Sequence, residues 1–226
     1  FMDFSFLSDY YMYFIDGIKL TLFISLISVF LGTLFGIVLY AMKKSKFTIL
    51  KINIFKVLSS TYIEVVRGTP LYLQIMIVYY GADQIFNLDM PAIASGIIAI
   101  SLNSAAYVSE LIRAGIEAVD KGQLEAARSL GMNYSKAMFL VIIPQAIKNI
   151  LPAIGNEFIA VIKDSSMAST IGVAELMYAA NKVTGRIFRS FEPLIISAIC
   201  YFVLTYTLGR VIKYIERRMN TDALCK

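Results

Sequence analysis

Residues 20–42 form a run of 23 residues without a charged side chain, and this stretch limits the possible folds more than any other part of the sequence. A helix rises about 1.5 Å per residue, so about 20 apolar residues cross the ~30 Å hydrocarbon layer of a bilayer. In lipid every backbone N–H and C=O must be bonded internally, which makes a helix the conformation open to a single run of this length. The run ends on Lys43, Lys44 and Lys46, and it is preceded by FMDFSFLSDYYMYF, which is acidic and aromatic instead of basic. No small-residue cleavage pattern follows, so a retained span is expected and not a cleavable leader.

Four further candidate spans follow, for an expected total of five. They cover about 57–82, interrupted by Glu64 and Arg67; about 90–113, uncharged over 90–109; about 147–163, which is short and polar; and about 193–213. Composition agrees: 58% of residues are apolar and 16% charged, against roughly 25% charged in soluble domains. The expected fold is an all-α membrane protein, one transmembrane domain over residues 1–226, with no internal repeat of the kind on which inverted-repeat transporters are built. The linker after the first span carries Lys43, Lys44, Lys46, Lys51 and Lys56 and no acid, whereas residues 81–91 carry Asp83 and Asp89 and no base. By the positive-inside rule the first linker is cytoplasmic, the N-terminus outside and the C-terminal tail inside. Segment 164–192 is then outside despite Lys182, Arg186 and Arg189, with Asp164, Glu175 and Glu192 in partial balance.

Several chemistries are set aside. There is no histidine, which removes the commonest metal ligand and the usual hydrolase bases. Cys200 and Cys225 have neither CxxC nor zinc-type spacing. No GxxxxGK[ST] phosphate loop occurs. The net charge of +5 belongs to loops beside apolar runs, where it reads as membrane topology and not as a nucleic-acid footprint.

The linker between the third and fourth spans reads AGIEAVDKGQLEAARSLGMNYSKAMFLVIIPQAI. Its residues 123–130 are good helix formers, and Gly131 stands where a C-terminal cap glycine belongs. A second helical stretch over Lys136 and 138–143 closes at Pro144. Two short helices meeting at a glycine make an elbow. Ala126 and Ala127 leave one side of the first helix nearly bare, open to close approach by a partner, and Glu125 and Arg128 lie i,i+3 and can pair.

This elbow resembles the EAA motif of ABC-importer permeases. Glu125-Ala126-Ala127 is followed at the family's offset by Gly131, and Val141, Ile143 and Pro144 occupy the closing positions. The blocks EVVRGTPLYLQ, AYVSELIRAGIEAVDKGQLEAARSLGM, LPAIGNEFIAVIKDSSMAS and IGVAEL look like the polar amino-acid uptake family, the histidine, arginine, glutamine and glutamate permeases, over residues 17–218. The resemblance implies a five-span permease of the type I importer kind in a bacterial cytoplasmic membrane. It implies a coupling loop over about 117–144 seated on an ATP-binding cassette subunit through Glu125, Ala126, Ala127, Gly131 and Pro144. It also implies a second permease copy, a homodimer in preference to a heterodimer, and an extracytoplasmic substrate-binding protein. No cofactor is expected on this chain, ATP–Mg belonging to the partner subunit.

A solute path is expected along polar residues at mid-membrane. The third span reaches the bilayer centre after roughly ten to thirteen residues, near Asn103 and Ser104. Asn103, Tyr107 and Glu110 are spaced i, i+4, i+7 and share a face; polar groups at that depth need a cavity or partner. The second span breaks at Arg67-Gly68-Thr69-Pro70, a discontinuity tolerated where it lines a cavity or is buried in protein; Glu64 and Arg67 can neutralise each other. The fourth span ends in Lys163, Asp164, Ser165 and Ser166. Lys163 and Asp164 can meet the carboxylate and ammonium of an amino acid, or pair with each other. Thr69, Asn103, Ser104, Tyr107, Glu110, Lys163, Asp164 and Ser165 are therefore the candidate substrate residues. Glu110 and Asp164 favour a cationic amino acid, an argument offset by Arg67, Arg113 and Lys163, so a cationic or amide-bearing substrate is expected. A stand-alone secondary transporter or channel is the alternative reading; a membrane enzyme is disfavoured by the absence of histidine.

Overall fold

The computed structural model describes residues 3–45 and 53–224; the expectations that fall on Lys46, Lys51 and Cys225 lie outside the described residues. Among the described residues every regular element is helical: α1 (Leu7–Lys44), α2 (Ile54–Gly68), α3 (Leu71–Phe86), α4 (Ala92–Glu117), α5 (Lys121–Ser129), α6 (Tyr134–Ala137), α7 (Ile143–Asp164), α8 (Leu176–Ile187) and α9 (Phe191–Leu224), with a π turn at Met138–Ile142 and a 3-10 turn at Ser165–Ile171.

Among the described residues, four unbroken helical stretches are long and apolar enough to cross a bilayer: Leu7–Lys44, Ala92–Glu117, Tyr134–Ile171 and Phe191–Met219. The expected second span is two pieces, α2 of 15 residues and α3 of 16, each short of a full crossing. Pro70 supplies no N–H and forces its predecessor out of the helical region; Thr69 is accordingly extended, at φ −118° and ψ 147°.

The fourth span is not short. Helical structure runs without interruption from Tyr134 to Ile171, and Pro144, expected to close the elbow's second helix, lies inside it near the start of α7. The π turn immediately before explains this. The Ile143 N–H bonds to the Met138 oxygen five residues back, so the hydrogen-bond register has already shifted where the proline withholds a donor.

The centre of the bundle is the α1–α4 seam. Thr21, Ser25, Ser28, Gly32 and Gly36 recur every three or four residues along α1, and all are buried. A Cβ on Gly32 would stand 2.8 Å from that of Ser104, and one on Gly36 would stand 2.9 Å from Val108 Cγ1. Lipid is as apolar as leucine, so close packing of small residues holds membrane helices together in place of a hydrophobic driving force. Ile24, Ile75, Ile100 and Val161 fill the adjoining core, while Phe23, Leu26, Phe30 and Leu34 of α1 face outward.

The basic residues of segment 164–192 are matched otherwise than expected. Lys182 lies 4.8 Å above the Tyr13 ring, Arg186 lies 5.7 Å and 5.1 Å from the rings of Tyr10 and Tyr13, and Arg189 bonds Asp3 at 3.0 Å. The aromatic N-terminal turn, not Asp164, Glu175 or Glu192, thus holds these cations.

Candidate translocation face and coupling elbow

The elbow has caps at both ends of its first helix. Asp120 accepts the Gly122 N–H at 2.7 Å and caps the start of α5. At the other end the Gly131 N–H bonds the Arg128 oxygen at 3.0 Å and the Met132 N–H bonds the Ala127 oxygen at 3.2 Å. This paired closure requires a left-handed residue, and Gly131 supplies it at φ +85°. Asn133 then caps α6 by accepting the Lys136 N–H at 2.9 Å. Gln145 of α7 reaches Gln123 at 3.3 Å, bracing the elbow across its hinge. Ala126 is exposed, but Ala127 is buried against the chain itself, so the bare side expected of the pair narrows to Ala126. Leu130 projects with 81% of its surface exposed. Glu125 and Arg128 form no ion pair among the described residues.

The polar residues at mid-helix fall into two groups. In the first, Gln74 of α3 turns its side chain back over the α2–α3 break. Its amide nitrogen lies 2.8 Å from the Val66 oxygen, 3.1 Å from the Thr69 oxygen and 2.9 Å from Thr69 Oγ1. Its oxygen accepts from Asn103 of α4 at 3.0 Å. The Val66 carbonyl, which Pro70 cannot bond, and the Thr69 carbonyl at the end of α2 thus find a donor inside the protein, which a broken helix in a membrane requires. Tyr62 of α2 donates to the Leu102 oxygen at 2.8 Å, and Arg67 stacks its guanidinium 5.3 Å from the Tyr107 ring. Arg67 does not pair with Glu64.

The second group lies where α7 meets α4. Glu157 and Asp164, seven residues apart, share a face of α7 and are close enough for their charges to interact; Glu157 also lies beside the Ser104 hydroxyl. Ser104 is fully buried, and its hydroxyl has no hydrogen-bond partner among the described residues. Lys163 is exposed and forms no ion pair with Asp164. Ser165 and Ser166 return their hydroxyls to the Ile162 and Lys163 oxygens at 2.8 Å and 2.6 Å. Such back-bonding to the third preceding carbonyl suits the 3-10 turn they begin.

Thr69, Asn103 and Tyr107 are therefore brought together, and Ser104, the neighbour of Asn103 on α4, faces Glu157 of α7, whereas Asp164 lies two turns further along that helix. Glu110 stands apart. One of its oxygens bonds Lys43 at 2.7 Å and the other bonds Arg113 at 2.8 Å, and Arg113 continues to Glu117 at 2.5 Å. Sequence reasoning missed Gln74 and Glu157. The seven-residue spacing between Glu157 and Asp164 was the available signal for Glu157.

Residues 32–221 match the family described as binding-protein-dependent transport system inner membrane component. The chain is 41% identical over 221 residues to the arginine transport system permease protein ArtQ of Bacillus subtilis, covering 98% of this chain and 99% of that protein. It is 38% identical over 208 residues to the putative glutamine transport system permease protein GlnP of Rickettsia typhi, covering 92% and 93%. Among solved structures, a chain in the crystal structure of an amino acid ABC transporter with histidines superposes with a TM-score of 0.91 at 47% identity, covering 96% of this chain and 99% of that one. A chain of the inward-facing MetNI methionine ABC transporter shares the fold, with a TM-score of 0.78 at 16% identity over the same 96% and 99%. The helical architecture, the capped elbow and these full-length likenesses agree: the chain belongs to the binding-protein-dependent transport system inner membrane component family.

Proposed function

We propose that the chain is the membrane-spanning permease subunit of an ATP-driven importer for polar amino acids, the cationic ones above all. The observation that carries this reading is that Glu157 and Asp164 share one face of α7, Glu157 beside the buried Ser104, in a chain whose relatives carry the names of arginine and glutamine permeases. Two carboxylates inside an otherwise apolar bundle are costly unless they face a cavity or a cation. A guanidinium or ammonium side chain in transit supplies that cation. Arg67, exposed at the helix break and unpaired with acid among the described residues, suits the carboxylate of the same solute.

The whole chain acts as one domain. Two copies, identical in the simplest assembly, face each other across the path, and Arg67, Thr69 and Lys163, exposed in the single chain, line it. The elbow is cytoplasmic and seats Ala126 and Leu130 in a groove of a separate ATPase, while Glu125, Gly131 and Pro144 set its shape. ATP–Mg is bound there and not on this chain. An extracytoplasmic binding protein delivers the amino acid to the opposite face, the N-terminus lying outside and the C-terminus in the cytoplasm. Glu110 serves the Lys43–Arg113 ion network instead of the solute.

The test is ATP hydrolysis by the chain reconstituted in liposomes with its ATPase subunit and binding protein, amino acids being added singly. Stimulation by arginine or lysine above glutamine or leucine is expected. Equal response to all, or uptake driven by an ion gradient without the ATPase, refutes the reading.

A further inference from the structure

A cavity of about 1060 Å³ opens between the ends of α1 and α4, the elbow helix α5 and the π turn. Three basic residues line it, Lys44, Lys121 and Arg128. None of them forms an ion pair among the described residues. The two acids in the same wall are already engaged: Glu117 with Arg113 at 2.5 Å, and Asp120 with the Gly122 N–H at 2.7 Å. The lining thus carries three bases against two acids, and its three bases are left without an ion-pair partner among the described residues. Its inner wall is apolar, with Ile142 buried and Leu124 half-buried, and the π turn continues outward into Phe139 and Leu140, 69% and 66% exposed.

We propose that this cavity binds the headgroup phosphate of an anionic phospholipid of the inner leaflet, with its acyl chains running over the π turn. An inorganic phosphate would satisfy the cations but leave the apolar wall unused, whereas an amphiphile meets both. The place is right for such a ligand, since anionic lipids attract basic residues at the cytoplasmic surface of a membrane; this placement rests on the cytoplasmic elbow of the function proposed above. The surface offered to the ATPase is a different one. Lys121, Leu124 and Arg128, spaced i, i+3, i+7, point one side of α5 into the cavity, while Ala126 and Leu130 lie on the opposite side. A lipid seated here would brace the elbow against α1 and α4 from behind.

The test is native mass spectrometry of the purified full-length chain released from micelles containing phosphatidylglycerol or phosphatidylcholine, with and without inorganic phosphate. Phosphatidylglycerol should be retained in preference, and Lys44→Gln, Lys121→Gln and Arg128→Gln should each weaken retention about fivefold, the effect of one basic residue at an anionic surface. Lys213→Gln, a charge removed from α9, should leave retention unchanged. The single variants serve where the triple variant fails to fold, as judged by its melting in phosphatidylcholine. Equal retention of the two lipids, full retention by the triple variant, displacement by millimolar phosphate, or loss of the lipid when the ATPase subunit is added each overturns the proposal. The readout uses no transport, so failure of the importer reading would show separately, as bound lipid on a chain that no ATPase drives.

Discussion

Asn103 donates its side-chain amide to the Gln74 oxygen at 3.0 Å, and Gln74 in turn holds the Val66 and Thr69 oxygens at the break between α2 and α3. The residue expected to touch solute is therefore also the anchor of the discontinuous helix. Asn103→Leu leaves the Gln74 oxygen without its donor, a loss of about 1–3 kcal/mol for a buried group. The variant should insert and assemble with its ATPase but transport more slowly, and its melting temperature should fall with its transport rate. Gln74→Leu should be the more damaging of the two, since it strips both carbonyls at once. Transport kinetics unchanged in both variants would separate the break from the pathway.

Gly131 has φ +85°, and a Cβ added there meets nothing within 4 Å. The objection to a side chain is backbone strain alone, about 1–2 kcal/mol for a left-handed non-glycine residue, and more for a β-branched one. Gly131→Val should leave membrane insertion intact while the α5–α6 angle changes, so association with the ATPase or stimulation of its hydrolysis should drop. Gly131→Asn, which tolerates this conformation better, should restore most of it. Full coupling in the valine variant would mean that the elbow angle does not govern docking.

These residues also mark what the sequence made legible. Uncharged runs announced the helices because a bilayer demands length and neutrality, and the glycine announced the elbow because few residues close a helix that way. Partners brought from elsewhere in the chain were not legible. Helical spacing correctly placed Glu110 on a face with Asn103 and Tyr107, but nothing local shows that Lys43, on another helix, holds its carboxylate at 2.7 Å. Arg67 and Glu64 have good pairing spacing, yet Arg67 sits 5.3 Å from the Tyr107 ring. Pro144 reads as a helix stop until the π turn before it is seen to shift the register.

The α7 carboxylates give a prediction about selectivity. Should Glu157 and Asp164 meet the cationic end of the solute, Glu157→Gln should lower uptake of arginine by at least about tenfold, the effect of about 1.4 kcal/mol. Uptake of glutamine should change much less. Competition assays in proteoliposomes measure both at once. A parallel loss for the two amino acids would assign Glu157 to packing against Ser104 and not to recognition.

Glu175 tests the end of the bundle where α1, α8 and α9 meet. Its carboxylate accepts the Met177 and Tyr178 N–H groups at 2.9 Å and 2.8 Å and the Tyr201 hydroxyl at 2.6 Å, tying α8 to α9. Leu176 beside it donates to Thr21 of α1 at 3.2 Å. Glu175→Ala strands two half-buried N–H groups at a helix start, each costing less than the about 1–3 kcal/mol of a fully buried one, whereas Tyr201→Phe removes one bond and should cost less. Burial pushes the Glu175 carboxyl above its ordinary value of 4.5, its hydrogen bonds opposing the shift without reversing it. The folded chain therefore holds this proton more tightly than the unfolded chain. The stability so gained is complete below the ordinary value and is lost as pH rises through the raised one. Glu175→Gln cannot titrate, so the melting temperature of the wild type minus that of the variant should fall as pH rises above the carboxyl's ordinary value. A difference that grows with pH would show that the three donors outweigh burial and that the carboxylate is the favoured form.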